Sequence, residues 1–218
     1  MKLKICGLKR LQDVDYVNQA NIEFTGLVFA PSRQQITAEF AKELKAALNP
    51  NIKAVGVFVN ESYEFIKSLV DDNIIDIAQF HGDVEYDLPI PTIRAFRMRT
   101  AEDIIPTNCD YVLFDSYKEG TRGSTGGMFD WRLIDEYARM GMRVRETSRS
   151  PARRTLMTDV NLNIKKPFFL AGGINITNIK QAMKLNPYCI DISSGAEDEN
   201  GDKSLDKILE LKDVLTNG

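Results

Sequence analysis

Phe169-Leu170-Ala171-Gly172-Gly173-Ile174-Asn175 and Ile190-Asp191-Ile192-Ser193-Ser194-Gly195 decide how this chain folds. Each is a run of β-prone apolar residues that ends in small or polar ones. Between them Thr177, an N-cap type of residue, opens a stretch with Ile179, Ala182, Met183 and Leu185 at helical spacing. A strand, a helix and a strand in that order make parallel pairing the expectation. The same grammar recurs upstream in Lys4-Ile5-Cys6-Gly7, Gly26-Leu27-Val28-Phe29, Val55-Gly56-Val57-Phe58-Val59, Gln79-Phe80-His81-Gly82 and Leu113-Phe114-Asp115-Ser116.

Working outward from these tips, eight strands are expected: 3–6, 25–29, 53–59, 76–80, 92–96, 111–114, 167–170 and 189–193. Helical patterns alternate with them, at about 11–20, after Thr37, after Asn60, from Trp131, after Thr177 and over 204–215. Two slots are weak. Residues 82–91 carry Pro89 and Pro91 and leave room for one helical turn at most, and 100–105 is a stub before Pro106. The pattern predicts a single α/β domain over 1–218, a (βα)8 barrel with short or missing helices after strands four and five. In such a barrel the C-terminal strand tips converge on the active site.

The chain has 218 residues, 43% of them hydrophobic, enough for one substantial core. Net charge is −3, which gives no overall reason to expect nucleic acid. No apolar run reaches the roughly 18 residues of a membrane span, and no leader pattern precedes the first strand. Cys6, Cys109 and Cys189 form an odd, sparse set without a CxxC spacing. Reduced thiols and a cytoplasmic location are expected, with neither a disulfide framework nor a zinc site.

Residues 138–159 stand apart. Six arginines against Glu146 and Asp159 give the stretch +4 and leave −7 elsewhere. It lies between helix six and strand seven, contains Pro151, and has little apolar periodicity. It reads as a mobile surface insertion, with a basic binding arm or an extra hairpin or helix as alternatives.

The tips carry the chemistry. Cys6 is either a small apolar core residue or, at a strand end beside Gly7, a thiolate base if its pKa is lowered. Asp115 directly follows an apolar strand, where a charge needs a partner, so it is an N-cap or a catalytic carboxyl. Residues 120–127 are glycine- and donor-rich and read as either a ligand-covering or a plain surface loop. The Gly172-Gly173 and Ser194-Gly195 turns follow strands seven and eight, the recurrent phosphate site of this architecture. His81 is the one histidine. It cannot build a metal site unaided, and a hydrogen-bonded place beside the site is favoured over acid–base work.

Taken in order, Lys-Ile-Cys-Gly, Gly-Val-Phe-Val, Gln-Phe-His-Gly, Phe-Asp-Ser, Gly-Ser-Thr-Gly-Gly-Met-Phe-Asp-Trp, Leu-Ala-Gly-Gly and Ile-Asp-Ile-Ser-Ser-Gly-Ala-Glu closely resemble the phosphoribosylanthranilate isomerase family over nearly the whole length except 138–159. The resemblance implies a TIM barrel of tryptophan biosynthesis that performs an Amadori rearrangement of N-(5-phosphoribosyl)anthranilate. It makes Asp115 the general acid that opens the ribose ring and Cys6 the base that takes the C2 proton. Gly172, Gly173, Ser194 and Gly195 would hold the phosphate, and Asp191 would orient groups beneath the site. Arg33 and His81 would contact substrate. A gapless match puts Gln34, not Arg33, where the family places an arginine for the anthranilate carboxylate. No metal or organic cofactor is implied, because the iminium itself withdraws electrons from C2. The partner is the small-molecule phosphoribosyl substrate, with neither nucleic acid nor membrane, and the chain would be a monomer or homodimer.

Two alternatives stay open. The isomerase of histidine biosynthesis shares the architecture but uses an aspartate at the first strand tip, where Cys6 stands here. A barrel that binds without catalysing, with the basic insertion as its arm, is the other.

Overall fold

Runs of Val, Ile and Phe separated by amphipathic stretches fold as eight parallel strands that close on each other in chain order. The computed structural model describes residues 1–98, 107–116 and 166–217. The strands are β1 Lys2–Cys6, β2 Phe24–Val28, β3 Lys53–Phe58, β4 Ile77–Phe80, β5 Thr92–Met98, β6 Tyr111–Ser116, β7 Phe168–Leu170 and β8 Cys189–Ile192. β1 pairs with both β2 and β8, which closes the barrel. Among the described residues the α-helices are α1 Leu11–Gln19, α2 Ala38–Ala47, α3 Tyr63–Asp71, α4 Ile179–Met183 and α5 Leu205–Asn217.

Local chemistry sets most element ends. Thr37 caps α2 by accepting from the Phe40 N–H at 3.2 Å, and Ser62 caps α3 through Phe65 in the same way. The expected cap at Thr177 is displaced. Asn175 Oδ1 takes both the N–H and the hydroxyl of Thr177 in a tight turn, and α4 starts one residue later, after Asn178. Residues 82–91 hold no helix, as the two prolines dictate. Tyr63, the first residue of α3, is exposed, and its ring meets Tyr86 edge-on. The stub at 100–105, the loop at 120–127, the helix from Trp131 and the insertion at 138–159 lie outside the described residues. Among the described residues, no helix is long and apolar enough to cross a membrane.

Two apolar layers result. Leu3, Ile5, Phe58, Phe80, Val112, Phe114, Leu170 and Ile190 pack outward against Val14, Val17, Leu44, Ile66, Leu69, Ile208 and Leu211 of the helices. Inside the barrel, Phe24, Val55, Ile77, Ile93, Leu113, Phe169 and Cys189 fill the lower half, with Tyr111 and Tyr188 packed against them. Burying such side chains contributes about 1.5–3 kcal/mol each. Higher up the filling changes from apolar to polar, and that change makes room for a site.

Candidate active site

Residues two apart on a strand share a face. Lys4 lies within β1, yet its ammonium reaches Asp191 Oδ2 of β8 at 2.7 Å and Gln79 Oε1 of β4 at 3.0 Å. β4 does not neighbour β1 in the sheet, so only the interior can join them. Lys4 therefore points inward, and Cys6, two residues on, points inward at the tip. It packs beside Val28, Ala30 and Val57. Gly26 of β2 makes space for the sulfur, since a Cβ there would lie 2.5 Å from Cys6 Sγ. By the same alternation Asp115 shares a face with Leu113, which belongs to the interior cluster. The tips of β1 and β6 thus carry the thiol and the half-buried carboxyl on the inward-facing side.

Below the tips runs a buried polar chain. Lys4 is fully buried, Gln79 nearly so, and Asp191 is 7% exposed. Gln79 Nε2 lies 2.6 Å from His81 Nε2. Among the described residues, Asp191 Oδ1 is buried and has no hydrogen-bond partner. Burial disfavours the Lys4 ammonium, but Asp191, then Cys6, more than offset it, so the group is held charged. Burial pushes the Cys6 thiol up, while Lys4 and Lys203 pull it down and Asp191 pushes it further up. The lowered thiol pKa that the sequence reading required is not what these surroundings give, because desolvation outweighs the cations. His81 is pushed down to about 3 by burial, then by Lys4, Arg97 and Arg94.

A second network joins the turns after β2 and β8. Glu197 is buried and holds Lys203 at 2.9 Å, Gln34 Nε2 at 2.6 Å and the Arg33 guanidinium. Gln34 also donates to Ser193 Oγ at 3.0 Å. Gln34 lies directly over Gly7, where a Cβ would approach its amide carbon to 2.4 Å, and Gly7 has φ +83°. Only glycine suits both the close approach and that backbone angle. Between the two readings left open for this loop, Gln34 is the side chain beside the β1 tip, while Arg33 is 59% exposed in its pair with Glu197.

The glycine turns form a third feature. Gly172 and Gly173 take φ +92° and +65°. Ser194–Ala196 form one 3-10 turn, and a Cβ on Gly195 would come within 2.1 Å of the Ile174 carbonyl oxygen. Gly173, Ser194 and Gly195 line a single cavity of about 340 Å³ that continues to Thr177 and Lys207. Among the described residues no group of His, Cys, Asp and Glu could hold a metal ion.

Sequence alone assigns no role to Lys4, Gln79, Glu197 or Lys203. A lysine or a glutamine inside an apolar strand was the available signal, since neither is often buried without a partner.

Residues 3–214 match the model of the N-(5'-phosphoribosyl)anthranilate isomerase family. Relatives named N-(5'-phosphoribosyl)anthranilate isomerase include one from Endomicrobium trichonymphae, 37% identical over 98% of each chain. Another, from Lachnoclostridium phytofermentans, is 36% identical over 97% of this chain and 95% of its own. The phosphoribosyl anthranilate isomerase structure from Thermotoga maritima superposes with a TM-score of 0.77 at 26% identity, and each chain is covered completely. A further structure of that enzyme, in complex with reduced 1-(o-carboxyphenylamino)-1-deoxyribulose 5-phosphate, gives 0.72 at 26% identity over 98% of this chain and 97% of its own. With the thiol, the carboxyl and the glycine turns at the strand tips of a closed barrel, this chain belongs to the N-(5'-phosphoribosyl)anthranilate isomerase family.

Proposed function

We propose that this chain converts N-(5'-phosphoribosyl)anthranilate to 1-(2-carboxyphenylamino)-1-deoxyribulose 5-phosphate, with Asp115 as acid and Cys6 as base. Asp115 gives its proton to the ribose ring oxygen as the C1–O bond breaks and the anilino nitrogen supplies the electron pair, leaving an iminium. The Cys6 thiolate then removes the proton from C2. The C2–H electron pair becomes the C1–C2 double bond, and the iminium π pair returns to nitrogen. Tautomerisation of the resulting enolamine moves the hydroxyl proton to C1 and yields the ketone.

The observation that carries this reading is the placement of Cys6 and Asp115 on inward-facing positions at the tips of β1 and β6, above a polar rather than an apolar layer. Burial makes the ionised Cys6 a stronger base than a solvated thiolate, and the Lys4 and Lys203 ammonium groups make ionisation attainable. Backbone N–H groups of Gly172, Gly173, Ser194 and Gly195 receive the phosphate, because glycines leave the amides unobstructed. Asp191 turns its unbonded Oδ1 towards a substrate hydroxyl. His81 contacts the sugar, and the loop carrying Arg33 and Gln34 covers the anthranilate end. All three cysteines are free thiols, in keeping with a cytoplasmic enzyme.

A steady-state fluorescence assay on the substrate tests the proposal. Cys6→Ser and Asp115→Asn should each lower kcat by about 10²-fold or more, with KM little changed. Full activity in Cys6→Ser would remove the base assignment.

A further inference from the structure

The hydrogen-bond directions in the buried chain are fixed by a single group that can only donate. An ammonium has three donors and no acceptor. The atom of Gln79 that meets Lys4 Nζ at 3.0 Å must therefore be the carbonyl oxygen. That choice sends the Gln79 amide nitrogen, a donor only, to His81 Nε2 at 2.6 Å. His81 Nε2 must then accept, so it carries no proton. The remaining ring proton of a neutral imidazole sits on Nδ1.

Resting on the isomerase reading, we infer that Lys4 is a positioning residue of this site: through Gln79 it locks His81 as the neutral Nδ1–H tautomer, which presents one hydrogen-bond donor to an oxygen of the phosphoribosyl substrate. The backbone supports this placement. His81 N–H donates to the Phe58 carbonyl at 2.8 Å, and Gly82 follows in a position where any Cβ would lie 1.6 Å from the Val59 carbonyl oxygen. The residue is half-buried just beyond the C-terminal end of β4, on the same side of the chain as the inward-pointing Gln79. Among the described residues Nδ1 makes no hydrogen bond, while Nε2 is taken.

The charged groups that act on the ring are Lys4 from β1 and Arg94 and Arg97 from β5. All three are cations and disfavour a second ring proton. His81 therefore does not serve as an acid near neutral pH. A neutral donor matches an uncharged hydroxyl or carbonyl oxygen of the sugar chain, which the reaction turns from C2 alcohol into C2 ketone. Lys4 never touches the reacting atoms in this scheme; its effect travels through the amide.

Because the sequence has a single histidine, long-range ¹H–¹⁵N NMR reports this ring without ambiguity. The wild type should give the Nδ1–H pattern, unchanged from pH 8 to pH 5. Gln79→Leu should shift the ring to the Nε2–H form or let it titrate, and lower kcat/KM about tenfold, the size of one hydrogen bond. Lys4→Met/Asp191→Leu removes both charges and should release the tautomer in the same way. Should that double variant not fold, Gln79→Leu still decides, since it strands no charge. A wild-type Nε2–H spectrum, or a Gln79→Leu spectrum identical to wild type, overturns the inference. The NMR readout does not depend on turnover: an intact Nδ1–H lock in a protein inactive on the substrate would refute the isomerase reading alone.

Discussion

Lys4 and Asp191 are register partners across the seam where β1 meets β8, and their side chains close a buried ion pair of 2.7 Å at that seam. Barrel closure and site electrostatics are thereby the same contact. A one-residue slip of β1 would turn Lys4 out of the interior and leave Asp191 unpaired, so the pair penalises wrong registers.

Removing one partner should therefore be far worse than removing both. Asp191→Leu strands a buried ammonium and should destabilise the fold by about 3–5 kcal/mol, whereas Lys4→Met/Asp191→Leu should recover most of that loss. Urea denaturation of the two single variants and the double measures the coupling. Equal destabilisation in the single and the double variants would show that the pair adds nothing specific to the seam.

His81 should make the protein acid-sensitive in a defined window. Its folded pKa, about 3, lies below the ordinary value of 6.5. The unfolded chain binds a proton below about pH 6.5 that the folded chain refuses until about pH 3, so stability falls as pH drops between those values. The residue as a whole is only half-buried, which limits the effect to a few kcal/mol. His81→Gln should flatten the slope of unfolding free energy between pH 6.5 and pH 4. A slope identical to wild type would place the acid sensitivity elsewhere.

The Cys6 thiol answers to two lysines. Burial raises its pKa and Lys203 is one of the groups that lower it. Lys203→Met takes away that cation while Gln34 and Arg33 still hold Glu197. The thiol should then ionise at higher pH, and the rising limb of the kcat/KM profile should move in the alkaline direction, with activity at neutral pH reduced. Site-resolved alkylation of Cys6 against pH should move the same way. A shift towards acid would contradict the sign of the interaction.

Much of the barrel is visible in the chain because each βα unit is written locally. Val, Ile and Phe runs, Thr37 as cap, and the two prolines after β4 act within a few residues of where they stand. Thr177 misleads because the competing acceptor, Asn175 Oδ1, also lies close by, and sequence alone does not say which wins. The tips of the strands give Cys6, Asp115 and the glycine turns, since reactive or small residues after an apolar run are conspicuous. The Lys4–Gln79–His81 chain is not legible in this way. Its partners come from β1, β4 and β8, and only closure of the ring puts Lys4 beside residues 75 and 187 positions away. Gln34 over Gly7 is hidden for the same reason, because the contact depends on how the loop after β2 folds back on β1.

The Gly195 turn gives a prediction that separates binding from chemistry. A Cβ at this position would lie 2.1 Å from the Ile174 carbonyl oxygen and 3.0 Å from Asn175 Cα, both backbone atoms that cannot swing aside as a side chain could. Gly195→Ala must push the turn after β8 away from the turn after β7, and those two turns line the proposed phosphate cradle. The strain should cost about 1–3 kcal/mol of stability, as overpacking does. Cys6 and Asp115 stand on other strands and keep their places. The variant should therefore raise KM by about tenfold or more while kcat falls less, and it should weaken binding of inorganic phosphate measured by calorimetry. A variant with unchanged KM and a collapsed kcat would mean that the turn after β8 governs the chemical step rather than the grip on the anion.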